Sequence, residues 1–163
     1  MKKSVNVKNK KNTKKFKINW KVLITCLLIV YGFALIGSMF TKIDNWYYSI
    51  KPSITPPNIV FPIVWTILFF MIALSIYFSW LASDEKKKVI VLFGINLFLN
   101  ILWSFFYFKM HNVFGAFIVI ILLLISILYL VRFTWKFSRK ASYLLIPYLL
   151  WVSFASILNY MSM

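Results

Sequence analysis

Apolar residues in this chain come in long, nearly unbroken runs, not in the alternation of a half-buried strand or the single stripe of a surface helix. A spanning helix needs about 20 mostly apolar residues. Five stretches qualify, at approximately Val22–Thr41, Ile59–Ala82, Val89–Phe108, Phe114–Phe133 and Ala141–Met161. The connections are Lys42–Asn58, Ser83–Lys88, Lys109–Val113 and Thr134–Lys140, and only the first is long enough to have structure of its own. The pattern predicts an all-α integral membrane bundle of five transmembrane helices, one domain over residues 22–161, preceded by a basic, disordered tail over residues 1–21.

Composition supports the bilayer as solvent. The chain has 163 residues, of which 62% are hydrophobic and 13% charged. Soluble domains carry about a quarter of their residues as charges, so too little polar surface exists here to cover a globule in water. The run before the first span resembles a signal peptide only in its basic flank. Its apolar stretch is too long, and no small-x-small cleavage site follows, so it reads as a retained helix.

The net charge of +16 raises the question of nucleic acid. Nine of the nineteen basic residues lie between Lys2 and Lys21, in a segment without apolar periodicity and with no folded nucleic-acid module beside it. An anionic leaflet accounts for such a tail, and no nucleic-acid partner is expected. Counting Lys and Arg on alternate sides places this tail, Lys86, Lys87, Lys88, Arg132, Lys136, Arg139 and Lys140 on one side. Only Lys42, Lys51 and Lys109 fall on the other. The positive-inside rule then predicts a multi-pass protein of the cell membrane with a cytoplasmic N-terminus and its C-terminus outside.

The spans contain no paired carboxylates, no cluster with metal-ligand spacing and no Ser/His/Asp set, so no metal is expected and no cofactor is required. Cys26, alone in an apolar run, is read as a small hydrophobe. Any chemistry must come from aromatic rings, amides, hydroxyls and backbone. In the third span Asn96, Asn100, Trp103 and Tyr107 are spaced by four, three and four and form one stripe. An amide in hydrocarbon needs a partner, so this stripe faces the bundle interior. It serves either as glue between helices or as the polar patch of a cavity, and spacing alone favours glue. The second span puts Phe61, Trp65, Phe69 and Ile72 on one face, and the fifth puts Pro147, Trp151, Ala155 and Leu158 on another. Trp20, Trp46 and Trp135 sit where interfacial belts form, whereas Trp65 and Trp151 lie deeper. Pro62 and Pro147, one turn before these tryptophans, are expected each to free a carbonyl and bend the helix. Lys51-Pro52-Ser53-Ile54-Thr55-Pro56-Pro57-Asn58 is a stiff entry to the second span, with Ser53 or Thr55 as candidate caps. His111, beside Lys109, reads as a solvated side chain and stays outside the candidate site.

These residues carry a resemblance. Lys-Pro-Ser-x-Thr-Pro-Pro followed by Phe61, Pro62 and Trp65 resembles the tryptophan-rich sensory protein (TspO/MBR) family, that of the mitochondrial translocator protein or peripheral-type benzodiazepine receptor. Asn96-x-x-x-Asn100-x-x-Trp103-Ser104 resembles its third-helix motif, and the run from Ser142 through Trp151 to Asn159 resembles its fifth helix. The match covers about residues 22–161. It implies a five-helix bundle, often dimeric, with a pocket toward the first loop that takes porphyrins and related tetrapyrroles. Ala34 and Ser38 on the first helix permit close approach in a homodimer. By position, Trp65 and Trp151 match pocket tryptophans tied to light- and oxygen-dependent porphyrin breakdown, and are catalytic only if that breakdown occurs. Asn96 and Asn100 match pocket amides, and Trp46 matches a first-loop aromatic near the ligand. The candidate ligand-binding set is therefore Trp46, Trp65, Asn96, Asn100, Trp103, Tyr107, Trp151 and Ala155, with porphyrin or haem as ligand and Lys42 or Lys51 meeting its carboxylates.

Two departures stand out. Ile54 replaces a tryptophan usual in the family's loop, and the C-terminus lacks the basic residue of its sterol motif, so sterol binding is not expected. The reading is a tetrapyrrole-binding sensor or regulator; the alternatives are a porphyrin-degrading enzyme and a transporter of small amphipathic molecules.

Overall fold

A computed structural model describes residues 18–163. Its elements are α1 (Trp20–Ser38), α2 (Asn45–Ile50), α3 (Val60–Ala82), α4 (Lys86–Ser104), α5 (Val113–Trp135) and α6 (Arg139–Met161). A π-helical turn (Phe105–Lys109) prolongs α4. Five of these helices are long and apolar enough to cross a membrane, and no strand occurs among the described residues. The all-α, five-span expectation holds.

Helix ends follow local capping rather than hydropathy alone. α1 begins at Trp20, two residues before the apolar run, because the Asn19 side chain accepts from the Val22 N–H. Residues 1–17 of the expected basic tail lie outside the described residues. Ser138 and Asn112 cap α6 and α5 in the same way, through the amides of Ala141 and Gly115. Three expectations are corrected. Neither Ser53 nor Thr55 caps α3, which starts without a side-chain cap after Val60 N–H bonds the Pro57 carbonyl. Pro62 falls in the first turn of α3, where its missing N–H would have had no partner in the helix; it frees no helical carbonyl. Pro147, inside α6, does interrupt the ladder. Lys86, Lys87 and Lys88, expected in a connection, form the first turn of α4, and their long stems let the ammonium groups reach the interface.

The long helices pack as a ring in the order α1, α3, α6, α5, α4 and back to α1. α3 and α4 face each other across this ring with little direct packing. Leu68, Ile72, Phe93, Leu97, Ile120, Leu123, Ile127, Leu145 and Val152 fill the core. Leu28, Ile67, Phe98, Leu122 and Leu150 are exposed, as side chains facing acyl chains must be. Interhelical hydrogen bonds tie neighbours together: Tyr31 Oη donates to the Thr66 carbonyl at 3.1 Å, Ser75 Oγ to the Ala141 carbonyl at 2.8 Å, and Ser104 Oγ to the Gly37 carbonyl at 3.0 Å. In lipid, where apolar burial does not drive helix association, such bonds contribute about 0.6–2 kcal/mol each. Lys21, Lys86 to Lys88, Arg132, Lys136, Arg139 and Lys140 gather at one end of the bundle, and Lys42, Lys51 and Lys109 at the other.

Candidate ligand-binding site

The gap between α3 and α4 is a cavity of about 410 Å³ at the end of the bundle that carries the first loop. That volume falls among small-molecule sites, which run from about 300 to 1,000 Å³. α3 contributes Phe61, Pro62, Trp65 and Phe69; α4 and its π turn contribute Asn100, Trp103, Ser104, Tyr107 and Phe108. Gly37 and Ser38 of α1, Ala155, Leu158 and Asn159 of α6, and Tyr47, Thr55 and Asn58 of the first loop complete the wall. No charged side chain lines it among the described residues.

The aromatic wall is held in place by packing and by hydrogen bonds behind it. The Trp65 ring stacks on Phe69 at 5.4 Å and lies 6.4 Å from Trp103 at an interplanar angle of 31°. Trp103 Nε1 donates to Asn159 Oδ1 at 3.0 Å, and Asn159 Nδ2 donates in turn to the Val113 carbonyl at 3.0 Å. One amide thus fixes both the indole and the start of α5. Tyr107 packs 5.8 Å from Trp103, and its hydroxyl meets Ser162 Oγ at 3.1 Å. The π turn carries Tyr107 and Phe108 in succession onto the same wall. At the mouth, burial and the neighbouring Tyr107 and Tyr48 raise the Tyr47 phenol above its ordinary pKa, so it faces the cavity as a neutral hydroxyl.

The two asparagines of the third span part company. Asn96 is fully buried; its Nδ2 donates to Ser126 Oγ at 2.7 Å and its Oδ1 accepts from the Tyr148 hydroxyl at 3.2 Å. It joins α4 to α5 and α6 and does not line the cavity. Asn100, one turn on, is 8% exposed and lines the cavity, and its Nδ2 has no hydrogen-bond partner among the described residues. Thr55 Oγ1 and Asn58 Oδ1 at the mouth are likewise without one. A buried unpaired polar group costs about 1–3 kcal/mol, so these two amide atoms and one hydroxyl around one apolar space mark where a polar group can be received.

Of the residues expected from sequence, Trp65, Asn100, Trp103, Tyr107 and Ala155 come together on the cavity wall, while Trp46, Asn96 and Trp151 do not line it. Trp151 sits behind Phe61, 5.8 Å ring to ring, with its indole N–H buried and unpaired. Trp46 stands outside the mouth, 5.8 Å from Tyr107. Lys42 and Lys51 do not line the cavity either. Sequence reasoning missed Tyr47, Asn58, Phe108 and Asn159. Asn159 had a signal, because it extends the Trp151, Ala155 stripe by another four residues; the loop residues had none, since no periodicity places them.

Comparison with known proteins places the chain in a family. The profile of the TspO/MBR family matches residues 24–163. Tryptophan-rich protein TspO of Chlorobaculum tepidum is 43% identical over 140 residues, 82% of this chain and 87% of that protein. The protein of the same name from Archaeoglobus fulgidus is 37% identical over 144 residues, 85% of this chain and 92% of its own. The Translocator protein of Bos taurus is 30% identical over 133 residues, 77% of this chain and 78% of that one. A multi-pass bundle, a tryptophan-lined cavity and matches of this length lead to one conclusion: the chain belongs to the TspO/MBR family.

Proposed function

We propose that this protein binds a tetrapyrrole in the cavity between α3 and α4 and acts as a membrane-embedded sensor or regulator of that ligand. The observation that carries the reading is the uncharged aromatic cleft of Trp65, Phe69, Trp103 and Tyr107 with the unpaired Asn100 amide at its inner edge. Flat π-systems stack on aromatic faces, and the Asn100 N–H can donate to an acceptor on the macrocycle. With no cation in the lining, the ligand's carboxylates face outward past Thr55 and Asn58 toward water, where Lys42 and Lys51 supply positive charge at longer range. The test is a titration of the purified protein with protoporphyrin IX, followed by tryptophan quenching. Trp65→Ala is expected to weaken binding about 5- to 150-fold, the loss of one base-like stacking contact at about 1–3 kcal/mol. Trp135→Ala, at the opposite end of the bundle, is expected to leave affinity unchanged. Equal affinity in wild type and Trp65→Ala would remove the reading.

We also propose that the basic end of the bundle is cytoplasmic, since Lys and Arg are retained on that side of a membrane. A membrane-impermeant maleimide applied to intact cells is expected to label Met163→Cys and not Asp84→Cys. The reverse labelling would invert the orientation.

A further inference from the structure

His111 is exposed, yet three features set it apart from a solvated loop residue. Its backbone lies in the left-handed region, at φ 53°, the only non-glycine residue with positive φ among those described. Its ring stacks face to face on Trp46, with centroids 4.1 Å apart and planes at 16°. Its Nε2 is 3.7 Å from Asp44 Oδ2, while Asp44 Oδ1 accepts from the Tyr47 N–H and so caps α2. α2 is the short helix that lays Tyr47 over the cavity mouth, and it stands apart from the ring of long helices. Its remaining attachments are side-chain contacts: Trp46 edge-on to Tyr107 at 5.8 Å, Tyr47 against Phe108 at 6.0 Å, and Tyr48 Oη accepting from Asn58 Nδ2 at 2.9 Å.

We infer that His111 is a positioning residue that latches α2 over the cavity, through the stack on Trp46 and the contact with the Asp44 cap. The α4–α5 turn presents the imidazole only because the backbone there is left-handed, a conformation that histidine tolerates better than most side chains. The latch thus couples the wall containing Tyr107 to the lid containing Tyr47. It sets how long the mouth stays closed, and hence how long a ligand is retained. The ligand part of this inference rests on the tetrapyrrole reading; the latch itself does not.

The test uses the full chain in lipid nanodiscs, with His111→Gly and Asp44→Asn. Glycine keeps the left-handed turn and removes the ring, so a purely conformational role for His111 would survive it. Asparagine keeps the cap and removes the charge. Amide hydrogen exchange over residues 45–51 is expected to be about two- to tenfold faster in His111→Gly, the factor that loss of one aromatic stack produces, with a smaller rise in Asp44→Asn. Exchange at the start of α5 is expected to stay at the wild-type rate. Wild-type exchange over residues 45–51 in His111→Gly would overturn the latch. Protoporphyrin IX dissociation, measured on the same samples, is expected to speed up by a similar factor. Faster exchange with unchanged dissociation would keep the latch and overturn its role in ligand retention, whereas absence of protoporphyrin IX binding to the wild type would remove the tetrapyrrole reading and leave the latch.

Discussion

Asn159 shows how a single side chain can determine the shape of the cavity. It accepts from the Trp103 indole and donates to the Val113 carbonyl, and it is almost fully buried. Asn159→Leu removes both bonds and leaves the Trp103 indole N–H without a partner, whereas the Val113 carbonyl keeps its place in the α5 ladder. The orphaned indole costs about 1–3 kcal/mol, so the variant is expected to unfold at lower temperature in detergent and to bind protoporphyrin IX more weakly than wild type. Unchanged thermal stability would show that water replaces the amide. The contrast between Asn96 and Asn100 belongs to this scale. They share one stripe in the sequence, yet Ser126 and Tyr148 satisfy Asn96, whereas the Asn100 Nδ2 has no geometric hydrogen-bond partner among the described residues. Spacing could put both amides inside the bundle; only the partners on α5 and α6 decide which is glue and which faces the cavity.

At the scale of elements, the junction of α4 and α5 shapes the site. Its π turn brings Tyr107 and Phe108 to the wall, and such turns often occur at functional sites. Gly115 makes this packing possible: a Cβ there would lie 2.9 Å from Phe106 Cδ1 and 3.0 Å from the Asn112 side chain. Gly115→Ala therefore pushes on the π turn and on the cap of α5 together. The expected result is a loss of about 1–3 kcal/mol of stability, as for other overpacked sites, with an altered near-ultraviolet circular dichroism signal from the displaced aromatics. A wild-type spectrum and melting temperature would mean that Phe106 swings aside freely. The five spans were legible because a run of about 20 apolar residues has no other stable use. Their ends moved by a few residues, because Asn19, Asn112 and Ser138 set them by capping amides. α2 was not legible. Six residues hold too little periodicity to register, and Asp44 looks like any loop acid until its carboxylate is seen on the Tyr47 amide.

The described residues form a closed ring of five long helices, and the cavity lies inside it where α3 and α4 face each other, closed by α1, α6 and the first loop. Sequence motifs named the helices that bound it and its place toward the first loop, but not its neutral lining, because that depends on which faces meet across the ring. Neutrality matters for what can enter: a charged group held deep in this cleft would be desolvated without a counter-ion, so the ligand must bury a flat apolar body and keep its charges at the mouth. The central claim is that a tetrapyrrole sits there, and anomalous scattering from crystals of the protein with zinc protoporphyrin IX tests it most directly. The zinc is expected between α3 and α4, beside Trp65 and Trp103. Zinc found only on the lipid-facing surface, or at the lysine-rich end near Lys87 and Lys88, would contradict it.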